Sequence, residues 1–301
     1  MTTASRPLPS GIWDCHFHIM DPDTFPYGAH RSYTPAGATM EMLRESTPAQ
    51  NFLLVQASVE DGEAGILHHL ERAKTEWPNS IWRAEIEVPK DRDFSKEDLE
   101  KMHELGVRVV RLHGEIGNTG SDPNQYIKEE FVRLAKVCRE TGWIISSMSP
   151  LTAWIEVIPW LVTDPQFMGI RFIIEHSARA DPKRDVHDYP ELDKFLQLAL
   201  ANKDRIYVKV CGINRRELPS DPPGKMKALP QADIKIATTL PDNVIWGSDW
   251  PHTNSHGQPR EEWTPNKAVD LHNELNLLQQ ALPEDLLDRL LVGNAAKLFS
   301  S

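Results

Sequence analysis

Asp14-Cys15-His16-Phe17-His18 sets two histidines two residues apart directly after the apolar start Ile12-Trp13. On a strand, residues i and i+2 face the same side, so both imidazoles can serve one ion or one substrate. Far down the chain, Gly247-Ser248-Asp249-Trp250-Pro251-His252 follows the apolar run Val244-Ile245-Trp246 and so stands at a strand end. A site assembled from both ends of a chain needs a fold that brings those ends together. A closed barrel does this.

Outward from these two motifs, eight short runs rich in β-branched or aromatic residues read as strands: Ile12–Cys15, Phe52–Ala57, Ile81–Ile86, Val107–Leu112, Trp143–Ser147, Arg171–Glu175, Ile206–Val210 and Val244–Gly247. Between them Ala64–Trp77, Lys96–Leu105, Ile127–Thr141, Thr152–Val162, Tyr189–Ala201 and Ala232–Thr239 read as helices, with Pro265–Gln280 and Pro283–Phe299 closing the chain. Their apolar residues recur every three or four positions, as in Phe131, Leu134, Ala135 and Cys138. Alternating strands and helices imply parallel pairing. Eight such units predict an α/β fold of the (β/α)8 TIM-barrel type, since an open doubly wound sheet usually has fewer strands. Residues 1–301 are expected to form one domain, with the Pro- and Gly-rich loops 21–39 and 212–231 over the mouth.

A chain of 301 residues with 40% hydrophobic content can build one large core. Its 33 Lys plus Arg against 44 Asp plus Glu give a net charge of -11, which opposes nucleic acid and anionic membrane as partners. The first ten residues lack the apolar core of a signal peptide, and no run reaches membrane-spanning length, so a soluble, cytoplasmic protein is expected. Cys15, Cys138 and Cys211 are far apart, odd in number and without CxxC spacing, which predicts free thiols. The chain has no GxSxG, GxGxxG or GxxxxGK[ST] motif, so sequence support for a serine elbow, a dinucleotide site or a P-loop is missing.

His176 and Asp249 follow strand runs, as do His16 and His18, and three imidazoles with one carboxylate form a plausible zinc set with room for a water. The competing reading makes His16 and His18 ordinary strand histidines that donate to carbonyls. Asp249 can take a proton from an attacking water, or serve as a turn residue before Pro251. Arg111, Arg179, Lys209, Arg215 and Arg216 are candidate anion binders, and a guanidinium fork suits a carboxylate. For Arg111 a structural salt bridge to Glu85 or Glu87 competes with that role. Ser58 and Ser147 are expected to face the pore and hydrogen-bond water or substrate. His252 is a candidate substrate contact or a surface imidazole. Cys15, opposite His16 in strict alternation, is expected in the barrel wall, and Cys211 as a small buried hydrophobe.

Together these residues resemble the amidohydrolase superfamily, in particular the amidohydrolase-related branch that contains 2-pyrone-4,6-dicarboxylate lactonase and related lactone hydrolases. The resemblance runs from Trp13–His18 through Trp246–His252 to Leu291-Val292-Gly293-Asn294-Ala295, and the GSDWPH run is its specific part. It implies that His16 and His18 match the first-strand pair, His176 the sixth-strand histidine and Asp249 the eighth-strand general base. Arg111 and one of Arg215 or Arg216 are similar to carboxylate-binding arginines of the branch. The fifth strand, Trp143–Met148, has no histidine, which argues against two metals. Some relatives hold one zinc and others work without metal, so both routes stay open.

The leading expectation is therefore a hydrolase that opens a lactone or cyclic ester of a carboxylate-bearing small molecule, with Asp249 activating water. The alternative is a metal-dependent nonoxidative decarboxylase of an aromatic or unsaturated acid. Hydration or isomerisation chemistry and a catalytically silent binding protein are weaker competitors. A homodimer is common behaviour for such an enzyme.

Overall fold

The structure is a computed structural model that describes residues 7–113, 123–216, 226–253 and 259–300. Eight parallel strands form its centre: β1 (Trp13–Phe17), β2 (Asn51–Val55), β3 (Trp82–Glu87), β4 (Val107–Leu112), β5 (Ile144–Ser147), β6 (Phe172–Ile174), β7 (Ile206–Cys211) and β8 (Val244–Gly247). They pair in strict chain order, β1 through β8. The seam is closed just beyond β8, where Asp249 N–H donates to His16 O at 2.7 Å and His18 N–H to Trp250 O at 2.8 Å. Asp14 holds the same seam through the Ser248 backbone N–H at 2.9 Å and hydroxyl at 2.6 Å. The fold is the expected eight-stranded α/β barrel.

Gly247 is required at this seam. A Cβ there would lie 2.6 Å from the His16 backbone nitrogen, so any side chain would push apart the two motifs that make the site.

Helices pack outside because each turns one apolar stripe to the barrel. In the helix Pro123–Thr141 the expected positions Phe131, Leu134, Ala135 and Cys138 are all buried. Lys96–Leu105 starts at a full capping box between Ser95 and Asp98 and buries Leu99 and Met102. Two boundaries differ from the sequence reading. The penultimate helix begins at Leu271, capped by Asp270, because the chain before it is extended: Trp263–Thr264 pairs with Thr34–Pro35 from the first long loop and Asn266 bridges to Thr253. The final helical stretch is interrupted by a π turn at Arg289–Gly293. A short helix, Met40–Ser46, was not legible as periodicity.

The barrel interior is filled in layers. A lower apolar cluster takes Trp13, Cys15, Leu53, Val109, Ile144, Ile173, Tyr207 and Ile245 from seven strands and is plugged by Ala295, Leu298 and Phe299. Cys15 belongs to this interior cluster, contrary to the expected position in the wall. The β1 register shifts between Asp14 and Phe17, and that irregularity breaks the alternation on which the expectation rested. All three cysteines are free and buried. Among the described residues, no helix is long and apolar enough to cross a membrane.

Candidate active site

One period of two along each strand carries the chain from the apolar layer into a charged one. Val109 is followed by Arg111, Ile144 by Ser146, Ile173 by Glu175 and Tyr207 by Lys209, while β3 supplies Glu85. All five polar residues are buried. Lys209 Nζ donates to Glu85 Oε2 at 2.8 Å and Glu175 Oε1 at 3.1 Å. Arg111 Nε donates to Glu175 Oε2 at 3.1 Å and Nη1 to Gln56 O at 3.1 Å, and Ser146 donates its hydroxyl to Glu85. Two carboxylates thus face two cations, which meets the condition for keeping such charges away from water.

The histidines and Asp249 lie on top of this layer. His16 is buried, with Nδ1 3.2 Å from Lys209 Nζ and 3.3 Å from Glu175 Oε1. Its Nε2 lies 3.6 Å from Asp249 Oδ1 and has no hydrogen-bond partner among the described residues. His18 Nδ1 donates to Val55 O at 2.8 Å, so in the neutral ring Nε2 is left as a lone pair, 3.6 Å from the same Asp249 Oδ1. Burial, reinforced by the Lys209 charge, holds His16 well below the usual imidazole range. Burial also takes His176 down to about 4. Both rings are therefore neutral near pH 7. Burial alone would raise the Asp249 carboxyl, but Arg215 Nη1, 2.8 Å from Oδ2, and the surrounding imidazoles outweigh it and hold the group well below its ordinary range.

His176 reaches the site through unusual backbone. His176, Ser177, Ala178 and Arg179 have φ of 49°, 52°, 55° and 54°, four successive non-glycine residues in the left-handed region. Ser177 Oγ donates to the buried Asp233 Oδ1 at 2.5 Å and ties this turn down. The turn packs the His176 ring 4.8 Å from that of His16.

A cavity of about 580 Å³ opens above these groups, lined by His16, His18, Ser58, Arg111, His176 and Asp249, with Arg179 and Arg215 on its sides. It lies at the C-terminal ends of the strands. Both long loops contribute, through Tyr33 and through Gly212 and Arg215.

Of the expected site residues, His16, His18, His176, Asp249, Arg111, Ser58 and Arg215 meet at this cavity. Arg111 also carries the salt bridge that competed with substrate binding, to Glu175 and at 3.5 Å to Glu85. Lys209 lies beneath the histidines, Ser147 is buried against Ser149 at 2.8 Å, and His252 donates Nε2–H to Ser248 O at 2.8 Å; none of these three lines the cavity. The Arg216 side chain lies outside the described residues. His113, two positions beyond Arg111, lines the cavity and was given no role from sequence, although the i, i+2 rule points to it. Glu85 and Glu175 carried the same signal.

Two overlapping groups of metal-competent side chains result. His16, His18 and Asp249 each place one ligand atom within 4.8 Å of the others, and so do His16, His176 and Cys211. His176 therefore belongs to the second group, not to one common four-ligand cluster.

Chemistry-bearing side chains gathered from β1, β4, β6 and β8 at the strand ends of a (β/α)8 barrel define an enzyme of the barrel class. The chain belongs to the amidohydrolase family, whose model matches residues 13–300, and its chemistry is of the hydrolase type. It is 27% identical to a 4-sulfomuconolactone hydrolase of Rhizobium radiobacter, over 97% of this chain and 91% of that protein. It is 25% identical to a 2-pyrone-4,6-dicarboxylate hydrolase of Comamonas testosteroni, with the same coverage of 97% and 91%. The crystal structure of a probable 2-pyrone-4,6-dicarboxylic acid hydrolase from Acinetobacter baumannii superimposes with a TM-score of 0.68 at 20% identity, covering 97% of this chain and 100% of that one.

Proposed function

We propose that this protein hydrolyses a lactone or other cyclic ester of a small molecule bearing at least one carboxylate, with Asp249 as general base. The observation that carries this reading is the convergence of Asp249 Oδ1 with the Nε2 atoms of His16 and His18, 3.6 Å from each, in a cavity with three guanidinium groups. The names of the two curated relatives specify cyclic esters with anionic substituents, a sulfomuconolactone and a pyrone dicarboxylate.

In this mechanism a water seated against Asp249 Oδ1 gives its proton to the carboxylate while its oxygen bonds to the ester carbonyl carbon. An imidazole N–H from His16 or His176 stabilises the charge that builds on the carbonyl oxygen. As the ring C–O bond breaks, the proton held at Asp249 passes to the leaving oxygen, giving a hydroxyl and a carboxylic acid that loses its remaining proton to solvent, which balances the water consumed. Arg111, Arg179 and Arg215, the three guanidinium groups of the cavity, hold the remote carboxylate, and Ser58 hydrogen-bonds the substrate. Arg215 also keeps Asp249 ionised and able to accept a proton.

The unpartnered Nε2 of buried His16 and the free lone pair on His18 Nε2 fit a divalent ion, and the mixed imidazole–carboxylate set favours zinc. When bound, such an ion would be held by His16, His18 and Asp249 with His176 beside them, and would supply Lewis-acid polarisation of the carbonyl and a more acidic water. The His16 and Asp249 roles above are also compatible with a metal-independent route. Elemental mass spectrometry of protein purified without added metal or chelator distinguishes the two: near one zinc per chain selects the first, and metal-free protein with full turnover selects the second.

A panel of lactones with and without carboxylates tests the reaction itself. Ring opening of carboxylated members that disappears in Asp249→Asn is the expected result. Carbon dioxide release from unsaturated acids without ring opening would replace hydrolysis by decarboxylation.

A further inference from the structure

Cys211 ends β7 on the same face as Lys209, and its sulfur lies within the 4.8 Å group formed with His16 and His176. We propose that Cys211, His16 and His176 form a second, sulfur-containing metal site that takes thiophilic divalent cations such as Cd2+ in competition with the His16–His18–Asp249 set. This site does not depend on which ester the enzyme hydrolyses.

Three features support it. The two donor sets differ in kind: imidazole with carboxylate suits borderline and harder ions, while imidazole with thiolate favours soft ones. The shared His16 has a buried Nε2 with no hydrogen-bond partner among the described residues, so one ligand is not already committed there. The immediate surroundings also suit a thiolate. The His176 backbone N–H and the Lys209 ammonium both favour negative charge on the Cys211 sulfur. Burial acts the other way and pushes the Cys211 thiol up. A bound cation takes the place of the thiol proton, which leaves to solvent as the sulfur–metal bond forms.

Because His16 is common to both sets, a cation in the inner site withdraws a ligand from the outer one. Thiophilic metals should therefore inhibit, and the inhibition should require Cys211.

Cobalt(II) titration of metal-free protein, followed by absorption, provides the test, since thiolate coordination adds an intense near-ultraviolet charge-transfer band that nitrogen and oxygen ligands do not. The expected result is a saturable band in the wild type that persists in Asp249→Asn and Cys15→Ser and is lost in Cys211→Ser and Cys211→Ala. Circular dichroism confirms the fold of each variant. Cadmium should compete the band away and should bind Cys211→Ser at least tenfold more weakly than wild type. Cobalt binding without the band, a band that survives in Cys211→Ser, or no cobalt binding by the wild type would each overturn the proposal. None of these readouts depends on turnover, so they remain separate from the fate of the lactone reading.

Discussion

Arg111 Nε donates to Glu175 Oε2 at 3.1 Å in the buried layer of the barrel directly beneath the cavity. The guanidinium that lines the cavity is thus also part of the structure beneath it. Arg111→Met leaves two buried carboxylates facing one cation, and removing one partner from a buried pair costs about 3–5 kcal/mol. Urea unfolding of this variant should show a loss of that size. A midpoint equal to wild type would mean that Arg111 serves substrate alone.

Lys209 stands in the same balance, between Glu85 at 2.8 Å and Glu175 at 3.1 Å. Lys209→Met should destabilise by a similar amount, roughly 3–5 kcal/mol. Adding Glu85→Gln to that variant removes the stranded charge and should recover about 1 kcal/mol or more, because contacting residues do not contribute additively. A double-mutant cycle with no coupling energy would show that the two groups do not form a functional pair.

Asp249→Asn removes the proposed proton acceptor while keeping the side-chain shape, and turnover should fall by about 10²–10⁴-fold with the melting temperature little changed. Arg215 depresses the Asp249 carboxyl through the 2.8 Å ion pair at Oδ2. A base is active above its pKa, so the acid limb of kcat/KM in the wild type should lie below the usual carboxylate range. Arg215→Met should move that limb to higher pH and raise KM. A pH profile that does not move in Arg215→Met would separate this arginine from the base.

Glu60 offers a test on stability alone. Its carboxylate accepts the Ala57 N–H at 2.6 Å, but burial outweighs this and pushes the group up to about 8 from an ordinary 4.5. The folded state therefore binds this proton more tightly than the unfolded one. Glu60's contribution is fully present below pH 4.5 and is lost as pH rises to about 8. Glu60→Gln, which has no proton to lose, should gain stability relative to wild type across that interval, with a Tm difference that widens from pH 4.5 to about 8. Parallel Tm–pH curves for the two proteins would contradict the shift.

Much of the barrel was legible in the chain because strand and helix periods are local properties. Eight runs bounded by Gly, Pro or polar residues became eight strands, several within one or two residues of the expected limits. The C-terminal polar residues were legible for the same reason: a parallel barrel presents its strand ends on one face, so His16, His18, His176 and Asp249 could be grouped before any contact was known. Strict alternation failed at Cys15 because the β1 register shifts, and a local break in pairing leaves no mark in composition.

Sequence by itself thus determined the element order, the closed parallel architecture and the face on which the polar strand ends gather. Only the tertiary structure decided which charges would meet. Lys209 and Glu85 are 124 residues apart and Arg111 and Glu175 are 64 apart, so their pairing depends on register and closure across several strands. The same closure separates His176 from the His16–His18–Asp249 group and joins it to Cys211, because metal-ligating distances are settled in space and not along the chain.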